Sequence, residues 1–429
     1  MPAGAVAVLA TAPEVPRNAD SDYPYRHDSY FYYLTGFAEP EAVVVLVAAQ
    51  GSKPARSILF CRGKNAEREI WEGFRFGPEA AREAFGFDEA YAIGDIDNAL
   101  PKLLADAPAL YCPLAHSAAF DARVKTWMDK VRGLSRSGVT APAGVHDLLV
   151  LLDEMRVFKD DHEQALMQRA ADISGRAHER AMRATRPAMF EYEIEAELLH
   201  EFRRSGAQSP AYSSIVASGP NACVLHYNAN NAQMRDGDLV LIDAGCEFDS
   251  YASDITRTYP VNGRFSEPQK QLYELVLAAQ SAALAAVVPG QRYSAIHDAA
   301  LKVLAQGMLD FGLLDKAKFG NVDDVIAERA FAQFYMHGTG HWLGLDVHDA
   351  GAYRDVTLEQ RPSRILQPGM ALTVEPGIYV RPAPGVPEQF WNIGIRIEDD
   401  VIVTAAGHKI LSGAAPKLVS DIEKVMQHG

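Results

Sequence analysis

Cysteine is scarce in this chain, which contains only four among 429 residues. The four positions, Cys61, Cys112, Cys223 and Cys246, are far apart, and no C-x-x-C spacing occurs. Scattered cysteines provide neither the disulfide framework of a small secreted protein nor the ligands of a structural zinc site. The pattern favours reduced thiols and a cytoplasmic location.

Excess positive charge and long apolar runs are also lacking. The formal net charge is −15, which argues against nucleic acid or an anionic membrane as the main partner. The longest apolar runs, near 42–49 and 282–288, are too short to span a bilayer, so no membrane segment is expected. No positive charge precedes the apolar run in "MPAGAVAVLATAPEVPR", which therefore predicts a first β-strand and not a signal peptide.

Several catalytic signatures are absent from the sequence. There is no H-E-x-x-H, because "HEQAL" at 162–166 lacks the second histidine, and no G-x-S-x-G, P-loop or dinucleotide fingerprint occurs. These absences argue against helix-borne zinc peptidases, nucleophile-elbow hydrolases and nucleotide-dependent enzymes. Any chemistry must be carried by other residues.

The first third of the chain alternates strand-like and helical patterns. The segments "AVVVLVA", "RSILFC" and "ALYCP" predict strands, whereas "EAAREAFG" and "DIDNALPKLLAD" predict helices. Such alternation is typical of an α/β domain. The stretch "RSGVTAPAG" contains Gly and Pro and interrupts the pattern, so we expect domains at 1–145 and 146–429.

The rest of the chain predicts an α+β domain built around a curved sheet. Residues 146–184 are strongly helical with an interruption near 158–161, and further helices are expected at 267–288 and 294–312. Strand-like runs with acidic residues at their ends, such as "DLVLIDAG" and "IGIRIEDD", lie among the helices. The predicted fold class is therefore α/β followed by α+β.

A short internal repeat relates two of these strand-like runs. "GDLVLIDAG" (237–245) aligns with "GMALTVEPG" (369–377), which places Asp243 on Glu375. Each unit is followed by a second strand with an acid, Asp254 in "SDITRT" and Glu398 in "RIEDD". The pattern indicates a duplicated half-domain that carries two acids in each copy.

The two copies predict two hairpins with facing carboxylates. A turn centred in "CEFDS" places Asp243 opposite Asp254, and a turn centred in "RPAPGVPEQ" places Glu375 opposite Glu398. Directly opposite Cβ atoms lie about 4.5–5.5 Å apart, and like charges in such positions destabilise a sheet. We therefore expect a cation to compensate for the repulsion. Arg396 shares a strand face with Glu398, because apolar residues alternate with both.

Histidines are concentrated between the hairpins. The segment "MHGTGHWLGLDVHD" contains His337, His341 and His348, and His226 lies in "VLHYN". Four carboxylates and one imidazole can neutralise two divalent cations, and oxygen-rich ligation favours Mn²⁺, with zinc, cobalt or iron as alternatives. Two such cations can activate a water molecule, and neighbouring histidines can stabilise a tetrahedral intermediate, which indicates a hydrolase.

These motifs resemble a known family. "LIDAGCEFDSYASDITRTYPV", "HGTGHWLGLDVHD", "LTVEPGIYV" and "GIRIEDD" are similar to the aminopeptidase P (Xaa-Pro aminopeptidase) branch of the pita-bread metallopeptidases, and "NADSDYPYRHDSYFYYLTGFAEPEAVVVLV" is similar to the N-terminal domain of that branch. The resemblance implies a creatinase-like N-terminal α/β domain followed by a pita-bread catalytic domain.

The resemblance also implies a ligand set and a reaction. Two divalent metal ions would be bound by Asp243, Asp254, His341, Glu375 and Glu398, with Asp254 and Glu398 bridging them. A hydroxide that bridges the metals would attack the peptide carbonyl before proline. Glu375 would accept the proton of the water. The substrates would be peptides with proline at the second position.

Roles for other residues follow from the same resemblance. His226 and His348 would contact the substrate or stabilise the intermediate, and His337 would shape the side that binds proline. Arg396 would hold the polar network of the site. Trp71, in "REIWEGFRFG", would contact the substrate in the active site of a neighbouring subunit, which implies a homo-oligomer, either a dimer or a tetramer.

Two other functions stay open at this point. A prolidase would cut only Xaa-Pro dipeptides, and the same metal site would serve it. A catalytically inactive pita-bread protein would bind a partner instead, although relatives of that kind lose ligand residues and all five are present here. A methionine aminopeptidase is disfavoured, because a large domain precedes the site.

Overall fold

The computed structural model describes residues 1–427 and divides the chain into two compact units, Met1–Met155 and Arg156–Gly429. The division falls within a helix, Leu149–Val157. The boundary placed at 145/146 from the sequence falls instead inside a short strand, Gly144–Asp147. The domain limits 1–145 and 146–429 remain a prediction.

The first unit is built on one six-stranded sheet with helices on its two faces. Its elements are β1 (Val6–Ala10), β2 (Pro16–Asn18), β3 (Ser21–Asp22), α1 (Ser29–Thr35), β4 (Val43–Val47), β5 (Arg56–Cys61), α2 (Ala66–Glu72), α3 (Gly77–Phe85), β6 (Glu89–Ala92), α4 (Ile96–Leu104), β7 (Ala109–Cys112), α5 (Ala118–Arg132), β8 (Gly144–Asp147) and α6 (Leu149–Val157), the last of which crosses the division. The sheet order is β6-β5-β4-β1-β7-β8.

Strand β1 shows why the first unit has two cores. Successive side chains of a strand point to opposite faces of the sheet. Val6 and Val8 pack in one buried cluster with Trp127 of α5, whereas Leu9 packs in another with Phe31 of α1. The apolar run at the N-terminus is therefore a strand, as the sequence predicts, with four of its five residues buried. The α/β class of this region is confirmed.

The second unit alternates helices with short strands. Its elements are α7 (Asp161–Ala184), α8 (Glu191–Arg204), β9 (Ser209–Pro210), β10 (Ile215–Ser218), β11 (Leu239–Asp243), β12 (Cys246–Phe248), β13 (Tyr251–Ala252), β14 (Thr256–Pro260), α9 (Glu267–Ala286), α10 (Ser294–Asp310), α11 (Lys316–Phe319), α12 (Val322–Ala327), β15 (Ala371–Val374), β16 (Gly377–Val380), β17 (Ile393–Arg396), β18 (Asp399–Thr404), β19 (Gly407–Ile410) and α13 (Val419–Gln427). Among residues 1–427, no helix has both the length and the apolar character that a membrane span requires.

The predicted helical segment 146–184 is correct in its main part and wrong at its start. The interruption near 158–161 separates α6 from α7, and Asp160 caps α7 by accepting a hydrogen bond from the backbone N–H of Glu163. Residues 144–147 are a strand and not a helix, because they pair in parallel with β7 and complete the sheet of the first unit.

The internal repeat is visible in the strands of the second unit. Strand β11 is followed directly by β12, and β15 is followed directly by β16. In the first copy, β11 pairs with β14 and β12 with β13, and in the second copy, β15 pairs with β18 and β16 with β17. All of these pairs are antiparallel, and the partner strands are interrupted at the matching places. Each interruption marks the point where the chain leaves one sheet and enters another. The four acids of the repeat lie at or next to these interruptions.

The register of the second hairpin is as predicted. Val374 pairs with Asp399 on one side of the interruption, and Gly377 pairs with Arg396 on the other. The same register across the gap places Glu375 opposite Glu398. The loop centre predicted from "RPAPGVPEQ" is therefore correct.

The register predicted for the first hairpin is wrong by two residues. Asp243 pairs with Thr256 and not with Asp254, and Phe248 pairs with Tyr251. The turn consists of Asp249 and Ser250, which both have positive φ angles of 46° and 70°. Two such residues form a tight hairpin turn. Its centre lies one position after the predicted one, and the pairing shifts by two residues.

Candidate metal centre

The five predicted ligands line one cavity of about 270 Å³. Asp243 is the last residue of β11, Asp254 lies between β13 and β14, and Glu375 lies between β15 and β16. Glu398 lies between β17 and β18, and His341 lies in the segment before β15. The interrupted strands thus aim carboxylates from both copies of the repeat at a common space.

The imidazole of His341 points at the carboxylates. Its Nε2 lies 3.4 Å from Asp254 Oδ2 and 3.6 Å from Glu375 Oε1. Its Nδ1 lies 2.9 Å from the carbonyl oxygen of Trp342, and donation there leaves Nε2 as the ligand atom. Asp254, His341 and Glu398 each offer one ligand atom, and these three atoms lie within 4.8 Å of one another. Atoms at this spacing can hold a metal ion.

A close backbone approach fixes the position of His341. The backbone N–H of His341 donates to Thr373 Oγ1 at 3.1 Å, and the backbone N–H of Thr373 donates to the carbonyl of His341 at 2.9 Å. A Cβ atom on the preceding Gly340 would lie 2.0 Å from the carbonyl oxygen of Thr373. Only glycine allows the two segments to pack this closely.

Three further side chains bond the carboxylates directly. Tyr212 Oη donates to Asp243 Oδ1 at 2.6 Å and lies 2.5 Å from Asp254 Oδ1. Arg396 Nη2 donates to Asp243 Oδ2 at 2.6 Å. Thr256 Oγ1 donates to Glu398 Oε2 at 2.6 Å. These bonds orient the carboxylates toward the cavity.

Sequence reasoning predicted Arg396 near Glu398 but did not identify Tyr212, Thr256 or Asp400. Asp400 is buried and accepts a hydrogen bond from the backbone N–H of Asp254, at 3.1 Å to each carboxylate oxygen. The run "EDD", which begins at Glu398, was a usable signal for Asp400. Tyr212 lies in "SPAYSSI", where nothing in the local pattern indicates a site residue.

The charges of the centre are unbalanced without a cation. Burial raises the pKa of Asp243, and it raises the pKa of Glu375 to about 7. Burial, together with the charge of Asp254, holds the pKa of Glu398 well above its ordinary value. Burial alone would lower the pKa of His341, but its hydrogen bond to Asp254 and the nearby charges raise it to about 9. The site therefore attracts positive charge.

The donor set fits two divalent cations. Four carboxylates and one neutral imidazole nitrogen are hard and borderline donors that suit manganese, zinc, cobalt or iron. Burial raises the pKa values of Glu375 and Glu398, and the charges of neighbouring acids raise them further, although Arg396 acts in the opposite direction. Two divalent ions would supply four positive charges where four carboxylates converge.

The remaining predicted residues occupy different positions around the cavity. His226 and His348 are exposed at its opening, and the ring of His348 lies edge-on to that of His341, with centroids 4.1 Å apart. His337 Nε2 lies 2.8 Å from Tyr379 Oη. Arg396 Nη1 donates to the same Tyr379 Oη at 2.9 Å. Burial lowers the pKa of His337 to about 4, so this imidazole is neutral near pH 7.

Trp71 lies in the first unit, on α2. Its side chain is 82% exposed, next to the exposed Ile70. An exposed tryptophan beside another exposed apolar residue is typical of an interaction surface.

Comparisons with known proteins agree with this geometry. Residues 165–405 match metallopeptidase family M24, and residues 1–111 match the aminopeptidase P N-terminal domain. The chain is 46% identical over 426 residues to Xaa-Pro aminopeptidase of Escherichia coli (strain K12). The aligned region covers 99% of this chain and 94% of that protein.

Two solved structures are similar over the whole chain. Pseudomonas aeruginosa aminopeptidase PepP has a TM-score of 0.96 and 47% identity, with coverage of 100% of this chain and 95% of that one. A zinc-substituted E. coli aminopeptidase P in complex with product has a TM-score of 0.95, 46% identity and the same coverage. The implied fold, an aminopeptidase P N-terminal domain followed by a pita-bread catalytic domain, is confirmed. The chain belongs to metallopeptidase family M24, in its aminopeptidase P (Xaa-Pro aminopeptidase) branch.

Proposed function

We propose that the chain is a metal-dependent aminopeptidase that hydrolyses the bond between an N-terminal residue and a following proline. The observation that carries the proposal is the convergence of Asp243, Asp254, Glu375, Glu398 and the Nε2 atom of His341 on one cavity. The choice of proline is supported by relatives named Xaa-Pro aminopeptidase.

Two divalent cations would be held by these five residues, with Asp254 and Glu398 among them. Manganese is the proposed metal, because oxygen donors outnumber the single imidazole. Zinc, cobalt and iron suit the same donors. When bound, the two cations lower the pKa of a water molecule and stabilise the negative charge that develops on the peptide carbonyl oxygen.

The chain's own residues supply proton transfer and positioning. Glu375 is the proposed base, because its carboxyl group lines the same cavity as the other proposed ligands. His226 and His348, at the opening of the cavity, are the proposed contacts to the substrate and to the intermediate. Arg396 holds Asp243 through its hydrogen bond, and with Tyr379 it fixes His337 on the proposed proline side.

Peptide length distinguishes this function from that of a prolidase. The test compares hydrolysis of the dipeptide Ala-Pro with hydrolysis of the tripeptide Ala-Pro-Ala by manganese-loaded protein. The proposal predicts release of alanine from the tripeptide, and cleavage of the dipeptide alone would indicate a prolidase. A folded protein that binds manganese weakly and cleaves neither peptide would support the non-catalytic alternative.

We also propose a homo-oligomer in the cytoplasm. The exposed Trp71 supports contact with a neighbouring subunit, where it would lie against the substrate. The four cysteines are free and buried, which suits a reducing compartment. Dimer and tetramer are both compatible with this proposal, and sedimentation analysis distinguishes them.

A further inference from the structure

His226 lies in a long connection between two strands. Strand β10 ends at Ser218 and β11 begins at Leu239, and the residues between them contain only a short 3₁₀ turn, Gly219–Cys223. The imidazole is exposed and lines both the metal-centre cavity and an adjoining cavity of about 460 Å³. A side chain in such a connection needs tertiary contacts to hold it at a fixed place.

One buried carboxylate provides those contacts. Glu191, the first residue of α8, is fully buried. Its Oε1 accepts from the backbone N–H of Ser218 at 2.7 Å, from Ser218 Oγ at 2.7 Å and from Asn221 Nδ2 at 3.2 Å. Its Oε2 accepts from Tyr227 Oη at 2.7 Å and from the backbone N–H of Ala232 at 2.9 Å.

These bonds reach the start of the connection, the residue beside His226, and Ala232 further along the connection. The segment 218–232, which we name the His226 loop, is bonded at its first and last residues and at Tyr227. The backbone N–H of Glu191 also donates to the carbonyl of Ala232 at 3.0 Å, so two bonds join these residues. The start of α8 therefore fixes the path of the loop.

The chemistry of the partners requires a carboxylate at this position. All of the groups bonded to the carboxylate of Glu191 donate hydrogen bonds, and two of them are backbone N–H groups that cannot accept. Glutamine has the same shape, but its amide nitrogen would face a donor at either end. Hydrogen bonds to an ionised acceptor are also stronger than neutral ones.

We infer that Glu191 is a positioning residue for peptide hydrolysis, because it holds the His226 loop so that the imidazole of His226 faces the cavity. The inference rests on the proposed function, in which His226 contacts the substrate. Glu191 itself does not touch the reacting atoms and acts through Tyr227 and the loop.

Kinetics of three variants test the inference. A displacement of about 1 Å can lower a rate by about 100-fold. We expect Glu191→Gln to lower kcat by about 10- to 100-fold, and Tyr227→Phe, which keeps the buried carboxylate, to lower it by about fivefold or more. The metal content per chain should not change. The control is Glu193→Gln, on the same helix, whose carboxylate accepts from the backbone N–H of Phe190 at 2.7 Å. Its kcat should stay within about twofold of wild type.

A double-variant comparison separates positioning from general stability. In a His226→Ala background, Tyr227→Phe should lower kcat by less than about twofold, because the positioned group is gone. An equal loss in both backgrounds would overturn the inference. So would kcat values within twofold of wild type for both Glu191→Gln and Tyr227→Phe.

Hydrogen exchange tests the loop without relying on activity. We expect the amides of 218–232 to exchange faster in Glu191→Gln than in Glu193→Gln, and equal exchange would overturn the inference. A wild-type protein that does not cleave Ala-Pro-Ala would contradict the proposed function, and the exchange experiment would still decide whether Glu191 holds the loop.

Discussion

Asp254 and Glu398 face the same cavity but have opposite effects on the metal-free protein. Burial would raise the pKa of Asp254, but its hydrogen bond to His341 and the charge of His341 lower it. Burial and the charge of Asp254 raise the pKa of Glu398. A lowered acid pKa means that the ionised group stabilises the fold above its ordinary pKa, and a raised one means the reverse.

We therefore predict different outcomes for Asp254→Asn and Glu398→Gln. Both should bind manganese weakly and lose activity by about 100-fold or more, because even residues that only support a ligand contribute 10- to 100-fold. At pH 7 without metal, Asp254→Asn should lower the free energy of unfolding, whereas Glu398→Gln should leave it unchanged or raise it. Denaturant unfolding of the metal-free variants measures this difference. Wild-type activity and metal content in Asp254→Asn would rule out its role as a bridging ligand.

Protons and metal ions compete for the same atoms. In the metal-free chain the pKa of His341 is about 9 and that of Glu375 is about 7, so both hold protons at pH 6. Ligands must lose these protons to bind a cation. We predict that manganese affinity rises by about tenfold or more per pH unit between pH 6 and 8, and calorimetry at each pH measures it. Constant affinity over this range would contradict the assignment of these ligands.

Single residues differ in how well the sequence reveals them. The convergence of the four acids was predictable from the repeat, whereas His341 was singled out among the nearby histidines only by the resemblance to the aminopeptidase P branch. Tyr212 was not predictable, since it contacts Asp243 and Asp254 from a segment 31 and 42 residues away in sequence. Contacts of this kind depend on tertiary packing and leave no local pattern.

At the scale of strands and helices, the two hairpins show what a sequence pattern can determine. The register of the second hairpin was predicted correctly from the centre of its longer loop. The tight turn at Asp249 and Ser250 was not apparent from the sequence, because "DS" lacks the usual Asn-Gly or Asp-Gly signal. A shift of two residues keeps every side chain on its face. Asp243 and Asp254 therefore still converge, and the wrong register did not affect the predicted site.

The helices were easier to predict than the short strands. The long periodic segments became α7, α9 and α10. Strand β8 was missed, because a four-residue strand on the edge of a sheet is defined by its pairing with β7 and not by its own pattern. Helix length gives a periodic signal that short strands lack.

Gly340, in the irregular segment that carries His341, provides a test at this scale. We predict that Gly340→Ala lowers stability by about 1–3 kcal/mol and weakens manganese binding, because its Cβ would lie 2.0 Å from a backbone oxygen and displace His341. The control is Gly338→Ala, whose Cβ would have no atom within 4 Å and which should retain the melting temperature of the wild type. Thermal unfolding and metal analysis check both variants. Equal melting temperatures and equal metal contents of the two variants would show that close packing at Gly340 does not hold His341 in place.

At the scale of the whole molecule, the proposed oligomer depends on a surface of the first unit. We predict that wild-type protein sediments as an oligomer and that Trp71→Ala weakens association by about tenfold or more, as expected for a buried aromatic anchor. Leu134→Ala, at another exposed apolar residue of this unit, is the control and should associate normally. Analytical ultracentrifugation measures the association of the wild type and of both variants. A monomeric wild type would refute the proposed role of Trp71.

For the whole enzyme, the proposed function requires that a metal centre of four carboxylates and His341 cleaves peptides before proline. The most direct measurement removes metal with a chelator, adds back manganese in steps and follows release of alanine from Ala-Pro-Ala. We predict that the stripped protein is inactive and that activity returns as two manganese ions bind per chain. Full activity after verified metal removal, or no cleavage by the metal-loaded protein, would contradict the account.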